Sequence, residues 1–235
     1  MIISHTHNFI FLKPLKVGGT SVQQTIGTAC GDGDVVSALF LEPEDLPRFA
    51  GSRLTPIPNH TDPANPRATR YKINTDTTTH ALPEQVLAEA GQEAWDAAFT
   101  FTIVRNPWDL MVSFRKVALL NPKGSTIPLA DNFTDFVRGF AFENLAPPFN
   151  THPVNESWYF AADTGAPLVD FFIRFEDLQT GFDHVCDTVG LPRKPLLHMQ
   201  NKGTRPNYRD HYTPETRDRV ATLFARTIDH FGYAF

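Results

Sequence analysis

Long apolar runs, cysteine and an excess of positive charge are scarce or absent in this 235-residue sequence, and each of these features excludes or disfavours a class of protein. No run of about 18 apolar residues occurs, so the sequence predicts no membrane span. Cysteine is limited to Cys30 and Cys186, without CxxC or zinc spacing, and we expect reduced thiols in a cytoplasmic protein, with a disulfide as the alternative. Positive charge is not in excess: the net charge of −5 argues against a general nucleic-acid surface but is compatible with a local basic cleft.

What remains is the composition of an ordinary globular domain, with 41% hydrophobic and 20% charged residues. The length fits one domain over residues 1–235. The first residues are too polar for a signal peptide, so the sequons at Asn59, Asn132 and Asn155 are not expected to carry glycans.

Apolar runs at 9–12, 99–104 and 168–174 predict buried strands, and helical patterns lie between them. Helices are predicted to begin at Pro83 and at a cap formed by Asn132 or Thr134, and a last helix is predicted from Thr213 to about residue 231. This alternation predicts an α/β fold in which helices flank a central, mainly parallel sheet. Residues 42–79 and 121–160 are predicted to be loop and helical excursions on the substrate side, with a short helix near 44–49. The cluster of Arg67, Arg70 and Lys72 in the first excursion is interpreted as a solvated face, with contact to an anionic acceptor as the alternative.

The stretch from Asn8 to Thr28 predicts a strand, a glycine turn and a helix N-terminus. Such a turn binds anions, because unpaired N–H groups and the helix dipole point at the ligand. Lys16 adds a full charge. Since Lys16 precedes both glycines, the stretch is not a Walker A loop, and a nucleotide triphosphatase is disfavoured. Simple helix capping is the alternative interpretation.

A second strand end carries Arg105, and Ser113 follows on the next predicted helix. A guanidinium group binds phosphate through two parallel hydrogen bonds, and a hydroxyl can complete the site. The alternative is a structural ion pair between Arg105 and an acid such as Asp109. Because ligands bind at the carboxyl ends of strands in such sheets, both turns are expected at one edge.

At these residues the chain resembles the sulfotransferases that use 3′-phosphoadenosine 5′-phosphosulfate. KVGGTS (16–21) is similar to their 5′-phosphosulfate loop, usually PKTGGTS, and FTIVRNPWDLMVSF (101–114) is similar to their 3′-phosphate motif, usually FxFVRNPxDRxxSxY. VDFFIRFEDL (169–178) and the C-terminal segment also look like the family, and the carbohydrate-type members are the most similar. Three positions depart from the family pattern: Val17 replaces the usual Thr, Pro14-Leu15 alters the usual lead-in to Lys16, and Leu110-Met111 replaces the usual Asp-Arg-Leu continuation.

The resemblance implies a P-loop-like three-layer fold and transfer of a sulfuryl group to an acceptor hydroxyl of a carbohydrate or glycolipid, or of a small-molecule alcohol or metabolite. It implies that Lys16 binds the cofactor and stabilises the leaving oxygen. The other cofactor-binding positions that it implies are Gly18, Gly19, Thr20 and Ser21 for the 5′-phosphate, Arg105 and Ser113 for the 3′-phosphate, and Lys202 in a late cofactor-contacting loop. No metal is expected. A P-loop kinase and a non-catalytic binding module stay open as alternatives.

The general base is assigned to His80, which lies upstream of the Arg105 strand, where several carbohydrate sulfotransferases carry a catalytic histidine. Its ordinary pKa suits proton transfer near neutrality. His60 and a carboxylate are the alternatives, and His80 could also be a surface residue at a helix N-terminus. The oligomeric state is not predicted.

Overall fold

The computed structural model describes residues 1–57, 69–120, 130–141, 155–197 and 207–235. These ranges contain seven β-strands, which are β1 (Ile2–Ser4), β2 (Phe9–Phe11), β3 (Val35–Leu41), β4 (Leu54–Ile57), β5 (Thr69–Ile73), β6 (Phe99–Val104) and β7 (Phe171–Arg174). They also contain the α-helices α1 (Gly19–Gly27), α2 (Pro83–Ala90), α3 (Gln92–Ala97), α4 (Pro107–Leu120), α5 (Phe133–Gly139), α6 (Leu178–Thr188), α7 (Pro214–Leu223) and α8 (Ala225–Phe231).

The strands form one mixed sheet in the order β4-β5-β3-β1-β2-β6-β7. The predicted α/β architecture is confirmed, but parallel pairing is limited to β2, β6 and β7, and the other four neighbouring pairs are antiparallel. Phe11 lies opposite Phe101, and Ile103 lies opposite Ile173. Because these three strands run in the same direction, the turns that follow them lie at the same edge of the sheet.

Both faces of β2 are buried, which explains its unbroken apolar run. Phe9 and Phe11 pack with side chains of α1 and α6 on one face, whereas Ile10 and Leu12 pack with α2 and its surroundings on the other. A third apolar cluster joins α4, α5 and α7. Helix α4 is thereby held firmly at the end of β6. The two cysteines are buried and unpaired.

Several predicted boundaries are confirmed, including β6, the start of α2 at Pro83 and the start of α5 after Asn132. The short helix predicted near 44–49 is a 3₁₀ helix, Pro43–Phe49. The prediction that 42–79 is only a loop and helical excursion is wrong, because this segment contains β4 and β5, the two outermost strands at one side of the sheet. Their half-buried Thr, Arg and Lys side chains obscure the alternation of apolar and polar residues that indicates a strand. The single last helix predicted up to residue 231 is interrupted at Phe224, between α7 and α8.

Candidate functional site

A cavity of about 810 Å³ lies where the turns after β2, β6 and β7 meet. Its volume falls within the range of about 300–1,000 Å³ that is usual for small-ligand sites. Eight predicted site residues line it together: Lys16, Gly18, Gly19, Thr20, Ser21, His80, Arg105 and Ser113. The two motifs, which are more than 80 positions apart in the chain, therefore contribute to one site.

The turn between β2 and α1 leaves the helix N-terminus uncapped by any side chain. Gly18 is the N-cap at φ 79°, and a Cβ there would lie 3.0 Å from the Phe175 ring, so glycine is required for both conformation and space. Lys16 also adopts a left-handed conformation, at φ 59°. For a lysine this conformation costs about 1–2 kcal/mol, and such strain persists only where surrounding contacts enforce it.

Two buried side chains enforce the shape of this turn. The carbonyl oxygen of Lys16 accepts a hydrogen bond from Arg105 Nη1 at 2.6 Å. The amide of Asn155, which is fully buried, bonds both the N–H and the carbonyl of Leu15 at 2.8 Å. The buried amide agrees with the expectation that this sequon is not a glycosylation site.

The turn between β6 and α4 holds its cation in an ion pair. Arg105 is only 5% exposed, and its Nη2 lies 2.8 Å from Oδ2 of Asp109. The guanidinium carbon lies 4.1 Å from the centre of the Phe175 ring. The structural ion pair considered from the sequence is therefore present, and Arg105 lines the cavity as well, with the half-buried Ser113 further along α4.

Lys13 is a cavity residue that the sequence analysis missed. It lies two residues after the end of the buried strand β2, and it is 3% exposed. Burial, followed by the charges of Arg70 and Lys16, lowers the pKa of Lys13 to about 7. A lysine at the carboxyl end of a buried parallel strand was the available signal, because that edge is where ligands bind.

His80 lies beside Lys13, and its Nδ1 is 2.9 Å from the Lys13 carbonyl oxygen. Because a carbonyl oxygen only accepts hydrogen bonds, Nδ1 carries the proton and Nε2 holds the lone pair. Burial, followed by the charge of Lys13, lowers the pKa of His80 to about 3. The expectation that His80 has its ordinary pKa is therefore wrong, and the imidazole is neutral at pH 7. An anionic ligand that offsets the lysine charges would raise this pKa.

The charges of the cavity are unevenly distributed. Asp109, Glu176 and Asp177 line the side formed by the turns after β6 and β7. Glu176 accepts the backbone N–H of Asn106 at 2.7 Å and the hydroxyl of Tyr233 at 3.1 Å. On the other side, in the part of the chain that the structure describes, no carboxylate forms an ion pair with Lys13 or Lys16.

The remaining predicted site residues fall in two groups. His60, Arg67 and Lys202 lie outside the described residues. Arg70 is half-buried on β5, where its Nη2 lies 3.5 Å from Thr79 Oγ1, next to His80 in the chain. Lys72 is half-buried as well and donates a hydrogen bond to the carbonyl of Asp76 at 2.8 Å, so neither side chain is as exposed as the interpretation as a solvated face predicts.

No family model, no curated protein and no solved structure matches the chain. Within the described ranges, no helix is long and apolar enough to cross a bilayer, and no group of three or more His, Cys, Asp or Glu side chains is arranged to hold a metal ion.

Proposed function

We propose that the chain is a sulfotransferase that moves a sulfuryl group from 3′-phosphoadenosine 5′-phosphosulfate to an acceptor hydroxyl. The fold is then a variant of the P-loop-like arrangement that the resemblance implies. The acceptor is proposed to be a carbohydrate or glycolipid, by the same resemblance, with a small-molecule alcohol or metabolite as the second candidate.

One observation carries the proposal: two strand–turn–helix units on neighbouring parallel strands open into one cavity and are joined directly by the Arg105–Lys16 hydrogen bond. A ligand with two separate phosphate groups matches this pair of sites. A nucleoside triphosphate, whose phosphates form a single chain, needs one such turn.

The residues present fit this cofactor. The uncapped N-terminus of α1, with Gly18, Gly19, Thr20 and Ser21, suits the 5′-phosphate. Arg105 and Ser113 suit the 3′-phosphate, and the cavity volume of about 810 Å³ accommodates a nucleotide. Val17, which departs from the family pattern, is fully buried in the core, so its side chain is unavailable to a ligand.

When bound, the cofactor would supply a sulfuryl group for transfer. The bond between sulfur and the 5′-phosphate oxygen would break and leave its electron pair on that oxygen, while the acceptor oxygen would bond to sulfur and give its proton to His80. Lys16 and the first N–H groups of α1 stabilise the negative charge at the leaving oxygen. His80 presents the neutral Nε2 that a general base needs, in a cavity wall held by Lys13.

Calorimetric titration with 3′-phosphoadenosine 5′-phosphate, the desulfated product, tests the proposal, with ADP and ATP as comparison ligands. We expect tight binding of the bisphosphate and at least tenfold weaker binding of ADP. Equal binding of ADP, or magnesium-dependent hydrolysis of ATP, would overturn the proposal in favour of a P-loop kinase or nucleotide triphosphatase. Turnover with an acceptor panel then separates an enzyme from a binding module.

A further inference from the structure

We infer that Lys13 is a second cationic contact for the sulfuryl group, beside Lys16, so that the site distinguishes the sulfated cofactor from its desulfated product. This inference rests on the proposed function. It assigns a role to a residue that lies outside the motif KVGGTS.

The first argument is that Lys13 is as buried as a core residue although its side chain can carry a positive charge. Its side chain is 3% exposed and lines the cavity. Among the residues that the structure describes, no carboxylate pairs with its ammonium group. A buried lysine without an acidic partner destabilises a protein, and such groups are concentrated at functional sites.

The second argument is the position of Lys13 between the base and the anion site. Its carbonyl oxygen bonds His80, and its side-chain stem packs on Gly19, where an added Cβ would lie 2.8 Å from Lys13 Cγ. The residue therefore connects the proposed base with the first residue of α1. If His80 takes the acceptor proton and the start of α1 holds the leaving oxygen, as the proposed function requires, the transferred group lies between these two points.

The third argument concerns the charges that face Lys13. Arg70 on β5 and Lys16 in the turn are positive, and His80 is neutral. The amino group of Met1, which precedes β1, is buried, and this burial lowers its pKa well below the usual value. Glu89 on α2 bonds Thr75 and Thr77 and acts on the Met1 amino group. Because the neighbouring charges are mostly positive, an oxyanion next to Lys13 favours its protonated form, and binding should take up a proton.

The test compares 3′-phosphoadenosine 5′-phosphosulfate with 3′-phosphoadenosine 5′-phosphate by calorimetry at pH 8, without acceptor, in two buffers of different ionisation enthalpy. The proteins are wild type, Lys13→Met, Lys13→Arg and the control Lys194→Met, which removes an exposed lysine. Thermal unfolding of each variant verifies the fold.

We expect Lys13→Met to weaken binding of the sulfated cofactor by roughly tenfold, the range for one charge-assisted hydrogen bond, and to change product binding by less than about twofold. Lys13→Arg should retain most of the affinity. Proton uptake should accompany binding of the sulfated cofactor in wild type and in Lys194→Met, and disappear in both Lys13 variants.

An equal loss for both ligands would overturn the inference, because Lys13 would then contact a phosphate or act structurally. Unchanged affinities would overturn it as well, and so would proton uptake that persists in Lys13→Met. If the wild type binds neither ligand, the proposed function itself fails. That result is distinct from wild-type binding of both ligands with no selective effect of Lys13→Met.

Discussion

The turn after β2 and the turn after β6 have the same local design and opposite electrostatic surroundings. Each connects a buried parallel strand to a helix and carries a cation at the strand end. Arg105 is paired with Asp109 and packs over Phe175, whereas Lys13 and Lys16 form no ion pair with a carboxylate in the described chain.

This difference indicates that the two turns have different roles. The Arg105 turn is preorganised by its ion pair and in turn fixes the carbonyl of Lys16. The Lys16 turn keeps its positive charge uncompensated, at a cost in stability that an anionic ligand would offset. The following experiments change one turn at a time.

The largest effect is expected for Lys16→Gly. Glycine accepts the left-handed backbone at φ 59°, so the free energy of unfolding should stay within about 1 kcal/mol of wild type. Loss of the ammonium group should weaken binding of 3′-phosphoadenosine 5′-phosphate by roughly 100-fold, the upper range for a charged hydrogen bond. Calorimetry and urea unfolding measure both quantities. A variant that binds as tightly as wild type would contradict a role for Lys16 in anion binding.

A second large effect is expected on stability from Lys13→Met without ligand. The pKa of Lys13 is about 7 in the fold and near 10.5 in the unfolded chain. Between these values the unfolded state binds more protons, so wild-type stability rises with pH, and the full penalty applies below pH 7. At pH 6 the variant should be more stable by on the order of 2–4 kcal/mol.

The stability difference between Lys13→Met and wild type should shrink from pH 7 upward and vanish near pH 10.5. Urea unfolding across this range measures it, with Lys194→Met expected within about 0.5 kcal/mol of wild type throughout. A variant less stable than wild type at pH 6 would show that the lysine has a favourable partner.

An intermediate effect is expected for Gly18→Ala. The left-handed backbone alone costs about 1–2 kcal/mol for alanine. Gly33 is a matched control, because it has a similar φ of 86° but nothing within 4 Å of an added Cβ, whereas a Cβ at Gly18 would lie 3.0 Å from Phe175. Urea unfolding should therefore show a larger loss for Gly18→Ala than for Gly33→Ala. Equal losses would contradict the argument that close packing shapes the turn between β2 and α1.

The smallest effect is expected for Asp109→Asn. If the carboxylate and a 3′-phosphate compete for Arg105, the affinity for 3′-phosphoadenosine 5′-phosphate should rise about threefold to tenfold. Binding of adenosine 5′-phosphate should be unchanged. Asp135→Asn, which alters an exposed acid on α5, serves as the control. A loss of bisphosphate affinity would instead mean that Asp109 holds Arg105 in its binding orientation.

Much of the fold was predictable where the sequence signal is local. The structure confirms the buried runs of β2 and β6, the helix starts at Pro83 and Asn132, and the two turns that line the cavity. These features were predictable because apolar runs, prolines and capping residues determine structure over only a few positions. The strands β1, β3, β4 and β5 were not predicted. β1 and β4 are short, and β5 is half-buried between β3 and the edge strand β4. β3, a seven-residue and mostly apolar run, was missed although its signal was present.

The residues that line the cavity were largely predictable from the sequence, but their burial and their charged neighbours were not. Nothing in the sequence near Lys13 tells that it is buried, or that Asn155 fixes Leu15 from 140 positions away. The pairing of Arg105 with Asp109 was one of two alternatives, and only the packing of Phe175 and Lys16 around Arg105 defines its surroundings. Long-range contacts of this kind are absent from any short motif.

The central claim is that one cavity holds two separate phosphate groups, one at each turn. The most direct test is the ratio of Kd values for adenosine 5′-phosphate and 3′-phosphoadenosine 5′-phosphate, measured on wild type and Arg105→Met. We predict a preference for the bisphosphate of about 30-fold in wild type, as expected for a charge-assisted pair, falling to about threefold in the variant. Equal affinities in wild type, or a preference that survives in Arg105→Met, would contradict the two-phosphate site.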